Sequence, residues 1–388
     1  MGAEEVVIVG YAETLIQHRS GRSAYDLAGE ALAMLLERAG LEKSWIDGFC
    51  ATAALSEGSN PFHAAYLAEI FGLELGWLQV SSVGGASVLA GVAAATSAIR
   101  DGRCRVAVVL GADAASTVNR TRYGAYREEF QNPTGLVRPP PAFGLLLSAY
   151  ADAYGAPDRA LARIAVTQRR NALLNDNAHP RLRQPLEEAD YLASRMVSDP
   201  LRLLDSVMFC DGANAVLLMS GRTAREYGMR RMARLAAYGE ISNYGAPNPV
   251  PDLLETGFAR VGPATLRRAG LAPRNVRMLQ AYDDFTIAVL LQLEQIGFCG
   301  RGEGERFVLS HDLGTGGDLP LNTGGGQLSA GQPGLASGGL TLVEAVRQLF
   351  GEAGARQVPN PTNAVVTGIG GISHIGNWMM SNVLVLEG

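Results

Sequence analysis

The sequence predicts an α/β fold of sheets joined by crossover helices, and three observations carry that reading. Short β-branched runs alternate with longer amphipathic runs, the pattern of parallel strands connected by helices. The same order of elements occurs near the start and again after residue 230, with little likeness in letters. Between the two, residues 116–202 break the pattern with Arg-, Tyr-, Pro- and Asn-rich sequence.

VVIVG (6–10) reads as the first strand. Residues 23–40 read as a helix, with Ser23 as N-cap and Gly40 just past its end. IDGFCATA, WLQVSS and RVAVVLGAD come next as strands, separated by the helices PFHAAYLAEIFG and GGASVLAGVAAATSAI. Residues 75–99 carry no charge and match a membrane span of about 20 residues in length. Their composition divides them instead into the strand WLQVSS and a small-residue helix packed inside protein. The 116–202 stretch, with the breaker PPP at 139–141 and short helices, reads as an inserted lid or loop domain. The sheet resumes at DGANAVLLMSG (211–221). The second half then runs through strand RMARLAAYGEIS, helix TLRRAGL, strand MLQAYDDF, helices TIAVLLQLEQIGF and LTLVEAVRQLFG, and strands NAVVTGIGG and NVLVLEG. The expected domains are 1–225, containing the insertion, and 226–388.

A chain of 388 residues, 47% hydrophobic and 18% charged, can bury a core for more than one domain. A net charge of -5 without a basic run argues against nucleic acid as a partner. The N-terminus enters a strand directly with no signal-peptide pattern, so a cytoplasmic protein without a membrane anchor is expected. Cys50, Cys104, Cys210 and Cys299 are scattered singly without metal spacing and read as buried reduced thiols.

The segment VSSVGGASVLAG (80–91) is strand, tight glycine turn and small-residue helix, a layout that aims backbone N–H groups at whatever sits in the turn. Close packing of helix on strand explains the same letters. The signal becomes specific with AYDDF (281–285), LPLNTGGGQLSAGQPG (319–334), VEAVRQLFG (343–351) and VTGIGGISH (366–374) in order. Together these resemble thiolases of the sterol-carrier-protein thiolase-like branch, and the likeness extends through LRLLDSVMFCDGANAVLLMS to nearly the whole chain. The resemblance implies the thiolase fold, two similar halves in a layered αβαβα arrangement.

In that family a cysteine nucleophile stands four residues after the strand valine, and here the position is Gly84; a one-residue shift gives Val83 or Gly85. The nearest hydroxyls are Ser81, Ser82 and Ser87, and a serine becomes a nucleophile there only with a nearby base. The second family cysteine, an acid/base, falls at Val366 or Thr367, neither of which shuttles protons near neutral pH. The Gly-His-Pro motif of the activating histidine reads Gly331-Gln332-Pro333, and Gln332 hydrogen-bonds but cannot act as a base. The motif opened by the family's oxyanion-hole histidine or asparagine reads Tyr282-Asp283-Asp284-Phe285. Relatives without either cysteine are similar to steroid side-chain aldolases, which place tyrosine at both former histidine positions; Tyr282 matches and Gln332 departs.

What the resemblance implies is retro-aldol cleavage of a bulky β-hydroxyacyl-CoA, a steroid side chain being the best fit, through a CoA-thioester enolate. Such a reaction needs a base for the hydroxyl proton and dipoles for the enolate, but no covalent intermediate. N–H groups near Gly84 and Gly371, with Tyr282, are expected to hold the enolate while Tyr282 or His374 moves the proton. Tyr282 serves as acid/base if its pKa, ordinarily about 10, is lowered. The glycine at the cysteine position leaves room beside the thioester. Tyr282, His374 and Gln332 are the expected catalytic residues, and Gly84, Gly85, Ser87, Asn322 and Gly371 the expected substrate-binding ones. Asn322 and Thr323 shape the pocket, and Asp283 or Asp284 caps the helix at Thr286. His18, His63, His179 and His311 lie in polar, exposed-looking contexts. The competing readings are a non-catalytic acyl-CoA-binding scaffold and an acyltransferase using serine. No metal site or tightly bound cofactor is expected, coenzyme A entering as part of the substrate. Relatives imply a homodimer formed through WLQVSS and a small zinc-ribbon/OB-fold partner that helps bind CoA.

Overall fold

The computed structural model describes residues 5–118, 132–135, 139–248, 252–372 and 378–388. The first half supplies β1 (Val6–Glu13), α1 (Ala24–Ala39), β2 (Gly48–Thr52), α2 (His63–Phe71), β3 (Trp77–Ser81), α3 (Ser87–Arg100) and β4 (Val106–Asp113). The inserted region holds α4 (Pro139–Tyr154), α5 (Asp158–Leu173), α6 (Glu188–Ala193), β5 (Met196–Ser198) and β6 (Leu201–Arg202). After β7 (Gly212–Ser220) and α7 (Gly221–Glu226), the second half gives β8 (Ala233–Ser242), α8 (Phe258–Arg268), β9 (Leu279–Gln280), α9 (Thr286–Ile296) and α10 (Gly304–Ser310). It closes with α11 (Gly326–Ala330), α12 (Gly338–Leu349), β10 (Asn363–Ile369) and β11 (Met380–Glu387).

Nine strands form one sheet in the order β3-β2-β4-β7-β1-β8-β11-β10-β9. The expectation of parallel pairing is corrected: only β3-β2-β4 and β9-β10 run parallel, and the rest of the sheet is antiparallel. Crossover helices α2 and α3 return the chain so that β2, β3 and β4 run the same way, whereas β10 and β11 pair antiparallel. The repeat legible in the element order recurs in the sheet, with β3 alone, among the described residues, lacking a counterpart in the second half. Read outward from the middle, β1-β7-β4-β2 and β8-β11-β10-β9 pass through the same sequence of antiparallel, antiparallel and parallel pairs. The half-sheets join only at Val7 with Arg234 and Ile8 with Ala233.

Alternation along each strand divides the core. Val7, Val9 and Val108 face α1, while Val6, Ile8 and Val109 share a second cluster with Val366 and Leu384, into which α3 and α12 insert. Val365 and Ile369 turn the other way, toward α5, α8 and α9. Helices α3 and α12 thus form the central layer between the two half-sheets.

Local sequence explains the element ends. Ser23 accepts the Asp26 N–H and Gly40 adopts φ 64°, as expected for α1. PPP does not break the chain; it opens α4, because the first turn of a helix has no use for the N–H groups proline lacks. The short helices expected in the insertion are in fact long, α4 and α5 having 16 residues each. The strand expected over MLQAYDDF pairs only at Leu279 and Gln280, after which side chains replace the ladder. Thr367 Oγ1 accepts the Tyr282 N–H at 2.8 Å and Gln292 Nε2 donates to the Tyr282 carbonyl at 2.7 Å. Among the described residues no helix is long and apolar enough to cross a membrane.

Candidate active site

The turns that lead into α3 and α12, Gly84–Ala86 and Gly334–Ala336, lie against each other. Two helix N-termini therefore converge on one point. The first turn of each presents N–H groups without intrahelical acceptors and the positive end of its dipole, an environment that favours developing negative charge.

Gly84 sits in the left-handed region at φ 63°, and a Cβ built there overlaps the Gly370 carbonyl oxygen. Ser87 Oγ donates to the Gly84 carbonyl at 2.6 Å and accepts the Val83 N–H at 2.9 Å. This corrects the reading of Ser87 as a substrate-binding or nucleophilic group: the hydroxyl is consumed in shaping the turn. Ser82 points to solvent, and Ser81 is buried in β3.

Gly85 faces Tyr282. A Cβ there would overlap the hydroxyl of Tyr282, which is only 4% exposed and reaches across from the second half of the chain. The phenol oxygen lies 2.9 Å from Ser337 Oγ, at the start of α12. Burial first, then the charge of Asp284 and more weakly that of Asp283, pushes the phenol well above its ordinary pKa, against side-chain hydrogen bonds with Ser337 and Gln332. The condition set for Tyr282 as a base is therefore reversed, and the residue stays a neutral proton donor. Gln332 itself is buried, its Nε2 donating to Gln327 Oε1 at 3.0 Å, and it lowers the Tyr282 pKa only weakly.

The carboxylates divide differently from expectation. Helix α9 is capped by neither: its N-cap position is Phe285, and the Thr286 hydroxyl donates to Asp205. Asp283 instead receives the N–H groups of Gln327 and Leu328 at 2.9 and 3.2 Å, capping α11. Asp284 has its Oδ1 sealed from water with no hydrogen-bond partner among the described residues. Burial lifts both carboxyls well above the carboxylate range, and the charge of Asp283 adds to the effect on Asp284.

Asn322 is fully buried beside Asp283, and neither its amide oxygen nor its nitrogen closes a hydrogen bond of good geometry. Thr323, expected to shape the pocket, is tied into a buried network with Gln280 and Glu344 instead. Neither Val366 nor Thr367 joins the Tyr282 hydroxyl: Val366 lies in the central core, and the Thr367 hydroxyl is held by Gln292 and the Tyr282 backbone N–H. The β10 residue that meets the α3 turn is Gly368, where a Cβ would lie 2.9 Å from Ala86 Cα. Gly371 comes after Gly370, the neighbour of Gly84, and accepts the Met379 N–H at 2.8 Å. His374 falls outside the described residues. His63 and His179 are buried, contrary to their exposed-looking contexts, while His18 and His311 are half-buried. Cys50, Cys104 and Cys210 are buried and free, and Cys299 is only half-buried.

The structure thus brings Gly84, Gly85, Tyr282 and Gln332 close to one another and adds Ser337 and Gln327, while Gly371 follows Gly370 in the chain and Asp284 follows Tyr282 by two residues. Ser337 had a readable signal: ASGG ahead of an apolar helix repeats the small-residue turn of VGGAS in the first half.

Residues 6–222 match the family described as thiolase, N-terminal domain, and residues 239–385 the thiolase C-terminal domain-like family. A 17-hydroxy-3-oxo-4-pregnene-20-carboxyl-CoA lyase of Mycobacterium tuberculosis is 32% identical, with 89% of this chain and 92% of the relative aligned. A steroid side-chain-cleaving aldolase of Thermomonospora curvata is 31% identical over 95% of this chain and 96% of its own length. Among solved structures, an Ltp2-ChsH2(DUF35) aldolase superposes with a TM-score of 0.86 at 29% identity, covering 99% of this chain and 98% of that one.

Proposed function

Because the chain belongs to the thiolase superfamily, we propose that its site cleaves a bulky β-hydroxyacyl-CoA, such as a steroid side-chain thioester, by a retro-aldol reaction. A base takes the β-hydroxyl proton, the freed electron pair forms the ketone C=O, and the Cα–Cβ bond breaks with its electrons moving into the thioester enolate. A proton then returns to Cα, leaving a ketone and a shortened acyl-CoA.

The observation that carries this reading is the Tyr282 hydroxyl standing in the side-chain space of Gly85, where α3 and α12 converge. A neutral phenol there donates to the enolate oxygen as negative charge develops, alongside the N–H groups of the α3 turn. Ser337 holds the ring hydroxyl in place, with Gln332 nearby. The serine acyltransferase reading loses its support, since Ser87 is committed to its turn and Ser82 faces solvent.

We place the reaction in the cytoplasm, in a homodimer paired along β3. That strand is the outer edge of the sheet, with Leu78 and Val80 exposed on it and Phe62, Tyr66 and Ile70 exposed along α2 beside it. A small DUF35-type chain, of the kind present in the similar aldolase structure, is the proposed second partner.

The test incubates the protein, alone and with such a partner, with β-hydroxyacyl-CoA thioesters and tracks ketone and shortened acyl-CoA by mass spectrometry. Cleavage is expected, and Tyr282→Phe is expected to lower the rate about 100- to 1,000-fold, the usual effect of removing one oxyanion donor. Bound but unchanged thioester would identify a carrier instead. An undiminished rate in a folded Tyr282→Phe protein would remove Tyr282 from the mechanism.

A further inference from the structure

We propose that Asp284 is the base that takes the substrate's β-hydroxyl proton and afterwards returns it to the α-carbon; this rests on the retro-aldol reading. The argument starts from how the buried carboxylates are used. Asp283 receives two backbone N–H groups, Asp205 the hydroxyls of Tyr191 and Thr286, Asp113 the N–H groups of Leu55, Ser56 and Leu335, and Glu294 the Tyr150 hydroxyl and the Gly304 N–H. Among the described residues, Asp284 Oδ1 is the only carboxylate oxygen that is sealed from water and has no donor. A polar atom kept in that state costs stability, so its retention calls for a role.

Position supplies the role. Asp284 lies two residues after Tyr282 in the segment between β9 and α9, and its backbone carbonyl is held by the Val207 N–H at 3.3 Å. Its charge acts on the Tyr282 phenol, together with that of Asp283. The residue as a whole keeps partial exposure although Oδ1 is sealed. No other described group at the centre can accept the proton. Tyr282 is held neutral, Asp283 is spent on α11, Ser87 and Thr367 are spent on backbone and Gln292, and Gln332 does not titrate.

The step balances without another reactant. The Asp284 carboxylate takes the hydroxyl proton as the Cα–Cβ bond breaks and the ketone forms, while Tyr282 donates a hydrogen bond to the enolate oxygen. The carboxylic acid then protonates Cα, and both groups return to their starting states. Among the described residues, the titratable groups around Asp284 are Asp283 and Tyr282 on its own segment and Asp205, which holds Thr286 at the start of α9. Burial and Asp283 raise the Asp284 carboxyl, so it keeps the captured proton long enough to pass it on.

The test uses the full chain with a thioester that the wild type cleaves, so that a wild type without cleavage rejects the reaction rather than the residue. Single-turnover rate against pH, thioester affinity and thermal midpoint are compared for wild type, Asp284→Asn and His374→Gln. Asp284→Asn is expected to slow cleavage at least about 100-fold, within the usual range for a general base. It should bind the thioester as before, and above pH about 8, where the wild-type carboxyl is ionised, its midpoint should be equal or higher because an unsatisfied charge has gone. The acid limb of the pH profile should vanish in Asp284→Asn and survive in His374→Gln. A wild-type rate in Asp284→Asn, or an acid limb lost only in His374→Gln, overturns the proposal.

Discussion

Gly85 lends its missing side chain's space to Tyr282, and the consequence can be measured. A methyl group at Gly85 overlaps the phenol and must displace it, so Gly85→Ala is expected to reduce cleavage about as strongly as Tyr282→Phe, by about 100-fold or more. Thioester binding should change less than the rate. A Gly85→Ala protein with full activity would mean that the ring need not stand there. Tyr282, Gln332 and the glycine pair are legible in the sequence because motifs preserve residue order. The protonation of Tyr282 is not, since it depends on burial and on Asp284, and letters carry neither. Ser87 misleads for a related reason: a hydroxyl beside a glycine turn looks reactive until the Gly84 carbonyl and Val83 N–H are seen to use it.

Helix α12 carries Ser337 to the site, and it is fixed by ions inside the protein. Arg347 bonds Glu13 on β1 and Glu344 one turn away, and Arg356 adds a second guanidinium to Glu344, all of these side chains being buried. Burial works against the Glu344 charge, yet Arg347 and Arg356 hold its carboxyl below the usual range. Arg347→Ala leaves two buried carboxylates undercompensated and is expected to cost about 3–5 kcal/mol in urea unfolding. A loss under about 1 kcal/mol would mean that solvent reaches the network. At this scale the caps of α1 are readable because they are local. PPP is not, since proline ends one helix or opens another depending on the residues on its C-terminal side. The early end of β9 is equally hidden, because Thr367 and Gln292, distant in sequence, replace the ladder.

For the whole molecule the buried acids set a pH dependence. Burial raises Asp113 to about 6 and raises Asp205, Asp283 and Asp284 as well, whereas unfolded aspartates titrate near about 3.9. The folded state then binds more protons than the unfolded one, so stability falls as pH climbs from about 4 through about 6 and beyond. Asp211 has the opposite sign. Burial would raise it, but Ser20, Ser116 and Thr117 hold it low, and the stability it contributes is lost only as pH drops below about 4. The thermal midpoint is therefore expected to be higher at pH about 5.5 than at about 8. A midpoint that climbs over that interval would contradict the assignment. The order of elements reveals the duplication of halves, but not the antiparallel pairs, because the return of β11 beside β10 is decided by long-range packing.

The room shared by Gly85 and Tyr282 ties the two halves of the chain to each other. One position belongs to the first half and the other to the second, and the volume holds a side chain from only one of them. Enlarging Gly85 alone therefore makes a clash and shrinking Tyr282 alone leaves a void, so a residue at one position is acceptable only in view of the residue at the other.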